Sequence, residues 1–282
     1  MIHVAFCSDS KFQKPLEIAI FSILRSSADS MKLHFHIVQL DDFNCTNIEA
    51  MVSSYQANVS FYTMNTHLYE KGRFSQAMYG RLYLPELIDC SVSRVIYLDC
   101  DVIVASDLLE LWQSEIDGYE VAAVPEPKSQ IKKYLTKKYN IDDYFNSGCL
   151  LIDLDKVRGT HNFFNVRQFI EKNNDLIYPD QDALNYIYSN NWKPLPEKWN
   201  QMSLEFYEEP SIIHYALSKP WGGTGNKNAY LYEQCVNEYP YELPFFTFEF
   251  QRRHILDSSE LKRTKIYQML SYLYWTIKSA WL

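Results

Sequence analysis

An α/β fold with a mostly parallel sheet is predicted for this sequence, because strand-like and helix-like segments alternate along most of it. The strand-like segments are short apolar runs rich in β-branched and aromatic residues, and the helix-like segments have the apolar spacing of an amphipathic helix. The chain has 282 residues, of which 47% are hydrophobic, and this is enough for one large domain. No apolar run approaches the ~18–20 residues that a membrane-spanning helix needs.

Each predicted strand corresponds to one of these apolar runs, and the predicted helices fill the intervals. The predicted strands are 2–7, 33–40, 58–64, 94–99, 119–125 and 148–153. The helical spacing is clearest at 14–27, 46–56, 78–88 and 163–173. After residue 175 prolines interrupt the pattern, which predicts long loops of the kind in which binding residues collect.

The charge distribution separates the last residues from the rest. The formal net charge is −8, which argues against a nucleic-acid partner. Residues 250–282, however, carry six basic and two acidic side chains, and their apolar residues recur at helical spacing. We therefore expect a main domain at 1–245 and a short helical, basic and aromatic tail at 246–282. The tail either contacts an anionic membrane surface or packs against the domain.

The cysteines and the first residues predict the location of the protein. The six cysteines form no C-x-x-C pair, so we expect reduced thiols in the cytoplasm. The first residues enter a strand directly and show no basic region or cleavage site of a signal peptide. Together with the tail, these features predict a cytoplasmic protein that is peripheral on the inner face of the cell membrane.

Two carboxylates stand at the end of the fourth predicted strand, in Asp99-Cys100-Asp101. Ligands bind at the carboxyl ends of strands in open α/β sheets, and two negative charges on a buried strand require a cation. The alternative is a turn with solvated aspartates, because Asp favours turns. Cys100 is interpreted as a spacer whose side chain points to the other side of the strand.

His214 follows a second apolar run, Ile212-Ile213, and is the candidate third ligand. A single histidine in such a position is more often a satisfied core residue. Two carboxylates and one imidazole at strand ends would instead form a site for Mn²⁺, or for Mg²⁺, with positions open for a ligand.

Two later segments carry further candidate groups. In Asp180-Gln181-Asp182, which precedes a stretch of helical spacing, the acidic residues either cap the helix or direct one carboxylate and the Gln181 amide into a cleft. Lys219, which stands before Pro220-Trp221 and two glycines, has the point charge that phosphate oxygens bind.

Several separated motifs, taken in order, resemble those of glycosyltransferase family 8 over about residues 1–222. The motifs are the strand ending at Asp9 (VAFCSD), Tyr79-Gly80-Arg81-Leu82, Tyr97-Leu98-Asp99-Cys100-Asp101, Phe145-Asn146-Ser147-Gly148-Cys149-Leu150-Leu151-Ile152, Asp180-Gln181-Asp182, and His214-Tyr215 followed by Lys219-Pro220-Trp221. The resemblance implies a GT-A fold, a Rossmann-like mixed sheet flanked by helices. It also implies transfer of galactose or glucose from a UDP-sugar to a glycan or glycolipid hydroxyl, as in lipopolysaccharide biosynthesis.

The resemblance implies roles for individual residues as well. Asp99, Asp101 and His214 would bind Mn²⁺ or Mg²⁺. The residues implied in donor binding are Asp9, Lys11, Arg81, Cys100, Asn146 and Lys219, and those implied in catalysis are Gln181 and Asp180. The chain departs from the family at Lys11, which replaces an asparagine. It also departs between His214 and Lys219, where the loop is one residue shorter and lacks a glycine.

The implied reaction retains the configuration at the anomeric carbon. Because an amide is a poor nucleophile, we expect attack from the face that UDP leaves, with the Gln181 carbonyl dipole stabilising positive charge on the sugar. Two alternatives stay open: a haloacid-dehalogenase-like phosphatase, and a non-catalytic protein that binds a sugar nucleotide or glycan. In such a phosphatase the first Asp of a D-x-D motif is a nucleophile near the domain start, whereas about three predicted strands precede Asp99.

Overall fold

The computed structural model describes residues 1–70, 75–222, 226–242 and 274. The strands are β1 (Ile2–Ser8), β2 (Leu33–Gln39), β3 (Asn58–Thr63), β4 (Arg94–Leu98), β5 (Val102–Val104), β6 (Val121–Pro125), β7 (Phe145–Asp153), β8 (Lys193–Pro194) and β9 (Ile212–His214). The α-helices are α1 (Gln13–Ser26), α2 (Thr46–Ser54), α3 (Leu84–Leu87), α4 (Leu109–Trp112), α5 (Gln130–Tyr139), α6 (Leu154–Thr160), α7 (Asn162–Lys172), α8 (Pro179–Tyr188) and α9 (Ala229–Glu238). Short 3₁₀ helices are Ser10–Phe12, Ser30–Lys32, Gln76–Tyr83, Glu197–Trp199 and Pro220–Gly222.

Seven strands form one mixed sheet in the order β3-β2-β1-β4-β7-β6-β8. The four strands from β3 to β4 are parallel, and β7 is antiparallel to both of its neighbours. A separate pair, β5 and β9, is antiparallel. The predicted α/β class with a mostly parallel sheet is therefore confirmed.

Helices cover both faces of the large sheet, and alternate residues of each central strand enter different cores. In β4, Ile96 and Leu98 pack with α1 and α2, whereas Val95 and Tyr97 pack with α3, α6, α7 and α8. This alternation is the period of two expected of a strand that is buried on both faces.

Two predicted elements differ from the observed ones. The segment 78–88 was predicted as one helix but is a 3₁₀ helix followed by α3. Its Gly80 lies so close to β1 that a Cβ there would be 2.6 Å from Cys7 Sγ. The last predicted strand begins three residues early, at Phe145, because the Asn185 side chain bonds both the N–H (2.8 Å) and the C=O (2.9 Å) of that residue.

His3, His34 and His36, the histidine cluster, lie side by side on β1 and β2. Burial lowers the pKa of His3 to about 4 and that of His36 to about 3, and the neighbouring imidazoles contribute. The unfolded chain therefore binds protons below pH ~6.5 that the folded cluster does not, so the free energy of unfolding should fall as pH decreases towards 4. Urea unfolding in EDTA should show a smaller decrease for His36→Asn. An unchanged pH dependence would contradict this.

Within the described part of the chain, no helix is both long and apolar enough to cross a membrane. The predicted tail at 246–282 lies outside the described residues, apart from Tyr274. The boundary between residues 245 and 246 therefore stays a prediction.

Candidate active site

Strand pairing brings the three predicted metal ligands together beyond the end of β4. Asp99 and Asp101 lie between β4 and β5, and β5 pairs with β9 so that Val102 is opposite His214. The Asp99 N–H donates to Gly148 O at 2.9 Å, which joins the same turn to β7. As a result, His214 Nε2 lies 3.4 Å from Asp101 Oδ1 and 3.7 Å from Asp99 Oδ2.

Asp99, Asp101 and His214 offer the donor set of a divalent-metal site. One ligand atom from each residue lies within 4.8 Å of the other two, and Asp101 and His214 are buried. Carboxylate oxygens together with one imidazole suit Mn²⁺, and carboxylate oxygens also suit Mg²⁺. The residues present therefore fit a divalent cation.

Asp101 is held in its ionised form by its surroundings. Burial alone would raise the pKa of Asp101, but the nearby His214 and Lys219 lower it more, and the net pKa is well below the usual range. The Lys219 ammonium donates directly to Asp101 Oδ2. Asp101 thus offers an anionic oxygen to a cation at any pH at which the protein is expected to work.

A chain of amide hydrogen bonds determines which nitrogen of His214 faces the carboxylates. The Gly148 N–H and the Asn200 Nδ2 both donate to Asn146 Oδ1, each at 2.9 Å. The other polar atom of Asn200, Oδ1, lies 2.9 Å from His214 Nδ1. Because this oxygen only accepts, Nδ1 carries a proton, and Nε2 is the nitrogen that faces the carboxylates.

Gly148 allows the ligands to pack directly on the backbone of β7. A Cβ at this position would lie 2.2 Å from His214 Cε1 and 2.8 Å from Asp99 Oδ2. Both distances are far below van der Waals contact, so no other residue fits without moving a ligand.

Arg81 connects Asp99, Asp101 and His214, hereafter called the ligand group, to α8. Its guanidinium lies 2.7 Å from Asp99 Oδ1 and 3.3 Å from Asp180 Oδ2, and it donates to Ser147 O at 2.5 Å. It also stacks over the Tyr97 ring at 4.4 Å, and the Tyr97 hydroxyl donates to Asp99 Oδ1. Burial alone would lower the pKa of Arg81, but the adjacent anionic groups raise it by more. The net pKa is above its usual value, so the guanidinium stays charged.

Asp180 and Gln181 lie in the first turn of α8, beside the backbone of β7. Asp180 Oδ2 accepts from the Ser147 hydroxyl at 2.9 Å, and Gln181 Oε1 accepts from the Ser147 N–H at 3.0 Å. Since a backbone N–H can only donate, these bonds orient the Gln181 amide with its oxygen towards β7. Asp180 Oδ2 is also the atom that pairs with Arg81, at 3.3 Å.

Asp182 has the other role that the sequence left open. Its Oδ2 accepts from the backbone N–H groups of Ile177 and Tyr178, at 2.7 and 3.3 Å, and its Oδ1 accepts from the Tyr144 hydroxyl. Capping and site-facing carboxylates thus occur in the same triplet: Asp182 secures the start of α8, and Asp180 faces the ligand group.

Glu126 extends this polar network beyond the end of β6. Its Oε2 accepts from Asn146 Nδ2 at 3.1 Å, and the side chain of Gln181 lies beside the same carboxyl group. Burial raises the pKa of Glu126, although these two amides and nearby positive groups oppose the shift.

The three remaining predicted residues lie at the junction of β1 and β4. Asp9 is buried after β1, and its Oδ1 accepts from the N–H groups of Lys11 and Phe12 at 3.1 Å each. The Cys100 thiol donates to Cys7 O at 3.3 Å and packs in the core on the α1 face of the sheet. Cys100 therefore points away from the ligands, as a spacer does, and Lys11 is exposed.

Sequence reasoning assigned no role to Asn200, Ser147 or the Tyr97 side chain. Asn200 is fully buried after a 3₁₀ helix, and its side chain contacts that of His214 directly. Only the tertiary fold brings these two residues together. No periodicity or spacing marks such a residue. Tyr97 and Ser147 were visible only as members of longer motifs.

We predict that Asp180→Asn lowers turnover by about 10²-fold, because the variant loses the ion pair with Arg81 that positions both groups beside the ligands. The comparison variant is Asp182→Asn, which changes the other acidic residue in the first turn of α8. It should lower the free energy of unfolding by about 1 kcal/mol, through the cap, and leave turnover per folded molecule unchanged. Equal turnover of Asp180→Asn and wild type would assign Asp180 to capping as well.

Comparison with known proteins gives a family assignment. The sequence model of Glycosyl transferase family 8 matches residues 3–225. General stress protein A of Bacillus subtilis is 29% identical over 253 residues, which cover 78% of this chain and 87% of that protein. Lipopolysaccharide 1,2-glucosyltransferase of Escherichia coli is 27% identical over 252 residues, covering 79% and 74%.

Solved structures give the same fold. The galactosyltransferase LgtC, in complex with donor and acceptor sugar analogues, superposes with a TM-score of 0.75 at 21% identity, covering 88% of this chain and 100% of that one. The glycosyltransferase GlyE of Streptococcus pneumoniae superposes with a TM-score of 0.67 at 18% identity, covering 89% and 63%. The chain has the GT-A fold of these enzymes, and by its sequence it belongs to glycosyl transferase family 8.

Proposed function

We propose that this glycosyltransferase moves a hexose, galactose or glucose, from a UDP-sugar to a hydroxyl of a glycan or glycolipid, with retention at the anomeric carbon. The observation that carries the proposal is the Asp99, Asp101 and His214 group beside the Arg81–Asp180 pair. The named glucosyltransferase and galactosyltransferase relatives support a hexose donor. Family membership removes the phosphatase alternative.

Asp99, Asp101 and His214 would hold Mn²⁺, with Mg²⁺ as a second candidate. When bound, the cation supplies positive charge to the diphosphate as it leaves. Mn²⁺ is favoured because one ligand is a nitrogen. Lys219 supports this role by keeping Asp101 ionised, and Asn200 supports it by fixing the orientation of the His214 ring.

Lys219 is proposed to contact the diphosphate. Its ammonium pairs with Asp101 in the described structure, which places a positive charge directly beside the ligand group. A lysine side chain is long and rotatable, so it can exchange a carboxylate oxygen for a phosphate oxygen. Asp9 and Lys11, after β1, are proposed to bind the nucleoside portion.

The donor sugar is proposed to lie against Arg81, Asn146, Asp180 and Gln181. In the reaction the bond from the anomeric carbon to the phosphate oxygen breaks, and the acceptor oxygen bonds to that carbon on the same face. The acceptor proton passes to the departing phosphate oxygen, so no protein base is required. The Gln181 amide, whose oxygen accepts from the Ser147 N–H in the described structure, would stabilise positive charge on the sugar ring through its carbonyl dipole.

The acceptor is proposed to approach near Glu126, which adjoins Asn146 and Gln181 on the side of β6. The charge of residues 250–282 supports peripheral contact of a cytoplasmic protein with an anionic membrane. Flotation on anionic liposomes should decrease when residues 250–282 are removed. Equal flotation would assign the tail to packing instead.

The proposed function is tested with a panel of UDP-sugars and Mn²⁺, by following UDP release during slow hydrolysis of the donor without acceptor. UDP-galactose or UDP-glucose should give the fastest release, and NMR should show the released sugar first as the α-anomer. Inverted product, or a covalent Asp180 adduct in mass spectra during turnover, would overturn the same-face mechanism. Donor binding without any release would instead indicate a non-catalytic binding protein.

A further inference from the structure

The histidine cluster defined above lies away from the proposed active site. His3 is the second residue of β1 and pairs with His34 in the register of β2, and His36 follows two residues later. Val4 pairs with Ile96 of the parallel strand β4, so Asp99 lies about four residues, or roughly 13 Å, further towards the carboxyl end of the sheet. The two groups therefore cannot share one ion.

The ring nitrogens of the cluster are close enough to bind one ion together. One nitrogen from each residue lies within 4.8 Å of the other two, and His3 Nδ1 is 2.9 Å from His36 Nε2. In a tetrahedral zinc site with Zn–N bonds of about 2.0–2.1 Å, ligand nitrogens are about 3.3 Å apart. The rings of His34 and His36 are stacked with centroids 4.4 Å apart, so coordination of one ion requires side-chain rotations that turn their nitrogens towards a common point.

Neighbouring hydroxyls on β3 hold the outer nitrogens of two of the rings. His36 Nδ1 lies 2.9 Å from the Tyr62 hydroxyl, and His34 Nε2 lies 2.9 Å from Ser60 Oγ. His36 Nε2 is thereby left facing His3 Nδ1, 2.9 Å away, and His34 keeps Nδ1 as its second nitrogen. Metal-bound histidines characteristically have such a partner on their other nitrogen, because it fixes the ring and its tautomer.

The cluster is also accessible and uncharged. His36 is buried, whereas His3 and His34 are half-buried, so an ion can reach the rings from solvent. Lowered pKa values keep the imidazoles neutral at pH 7, and neutral imidazole is the ligand form. When His36 binds an ion through Nε2, the imidazole proton is on Nδ1. There it donates a hydrogen bond to the Tyr62 hydroxyl, and the imidazole stays neutral.

We propose that His3, His34 and His36 form a second metal site, which takes Zn²⁺ or a neighbouring late first-row divalent ion. Three imidazole ligands select such ions over Mn²⁺ and Mg²⁺, which prefer oxygen. The fourth position is left for water. Because the ligands join β1 to β2, and their hydroxyl partners lie on β3, bound metal should stabilise this edge of the folded sheet.

The test is a Zn²⁺ titration of the metal-free protein, followed by calorimetry and by thermal unfolding. To remove the candidate group of Asp99, Asp101 and His214, the titration uses the Asp101→Asn/His214→Ala background. This background should bind one equivalent of Zn²⁺, which raises the unfolding midpoint. His3→Gln should weaken binding by more than the roughly 10–100-fold expected of an outer partner, and Tyr62→Phe should weaken it within that range.

His67→Gln is the matched control, because His67 is an exposed histidine that contacts Glu171 and lies outside both groups. It should bind Zn²⁺ as the background does. The proposal is overturned if the background binds no Zn²⁺, or if His3→Gln and Tyr62→Phe bind it as tightly as the control. The single variant His3→Gln, which keeps Asp101 and His214, should release UDP with Mn²⁺ at the wild-type rate. Zinc binding therefore tests this proposal, whereas UDP release tests the proposed function.

Discussion

Asp101→Asn is expected to lower UDP release from the UDP-hexose by about 10²–10³-fold, the scale of removing one preorganised charge-stabilising group. Asp101 is the best-prepared anionic ligand of the site, because it is buried, contacts His214 Nε2 at 3.4 Å and accepts from Lys219. Asparagine keeps the size of the side chain but lacks the charge that holds a cation. The variant should also bind Mn²⁺ more weakly, which titration followed by electron paramagnetic resonance measures.

Asp155→Asn is the control for this substitution, since Asp155 is an exposed aspartate in the first turn of α6 that pairs with Arg158 at 3.1 Å. It should retain the UDP release rate and the Mn²⁺ affinity of wild type. Near-normal UDP release by folded Asp101→Asn would mean that Asp101 does not hold the catalytic cation.

Gly148→Ala is the second substitution with a large expected effect. The new methyl group would stand 2.2 Å from His214 Cε1 and 2.8 Å from Asp99 Oδ2, so at least one ligand has to leave its place. Overpacking of this kind costs about 1–3 kcal/mol of stability. We expect loss of about 10²-fold or more in UDP release, because displacement of a group by 1 Å is enough for that effect.

Gly159→Ala tests whether the effect comes from position rather than from loss of a glycine. A Cβ at Gly159, in α6, meets no atom within 4 Å, and alanine favours helix by about 1 kcal/mol. This variant should unfold at a slightly higher temperature and keep full activity. If Gly148→Ala matched it in both measurements, the packing of the ligands against β7 would not be essential.

The sequence singled out Asp99, Asp101 and His214 as candidate metal ligands but did not show how they meet. Asp99, Asp101 and His214 each follow an apolar run, and this placed them at strand ends. What joins them is the pairing of Val102 with His214 between two strands of three residues each. A strand of three residues shows no usable periodicity, so this contact depends on tertiary structure alone.

The triplet at the start of α8 shows the same limit. Local sequence left capping and site-facing roles equally open for Asp180 and Asp182, because both stand in the first turn. The side chain of Ser147 decides between them, since it donates to Asp180, and it comes from a strand 33 residues earlier. Asn200 could not be identified for the same reason, because only the fold brings it to His214.

We propose that Asp99, Asp101 and His214 hold a cation that allows UDP to leave. It is tested most directly by measuring UDP release from the preferred UDP-hexose after EDTA treatment and then with increasing Mn²⁺. We predict that the EDTA-treated protein is inactive and that Mn²⁺ restores release along a saturable curve, which Asp101→Asn shifts to higher Mn²⁺ concentration. Full release by the EDTA-treated protein, or an identical curve for Asp101→Asn, would contradict the claim.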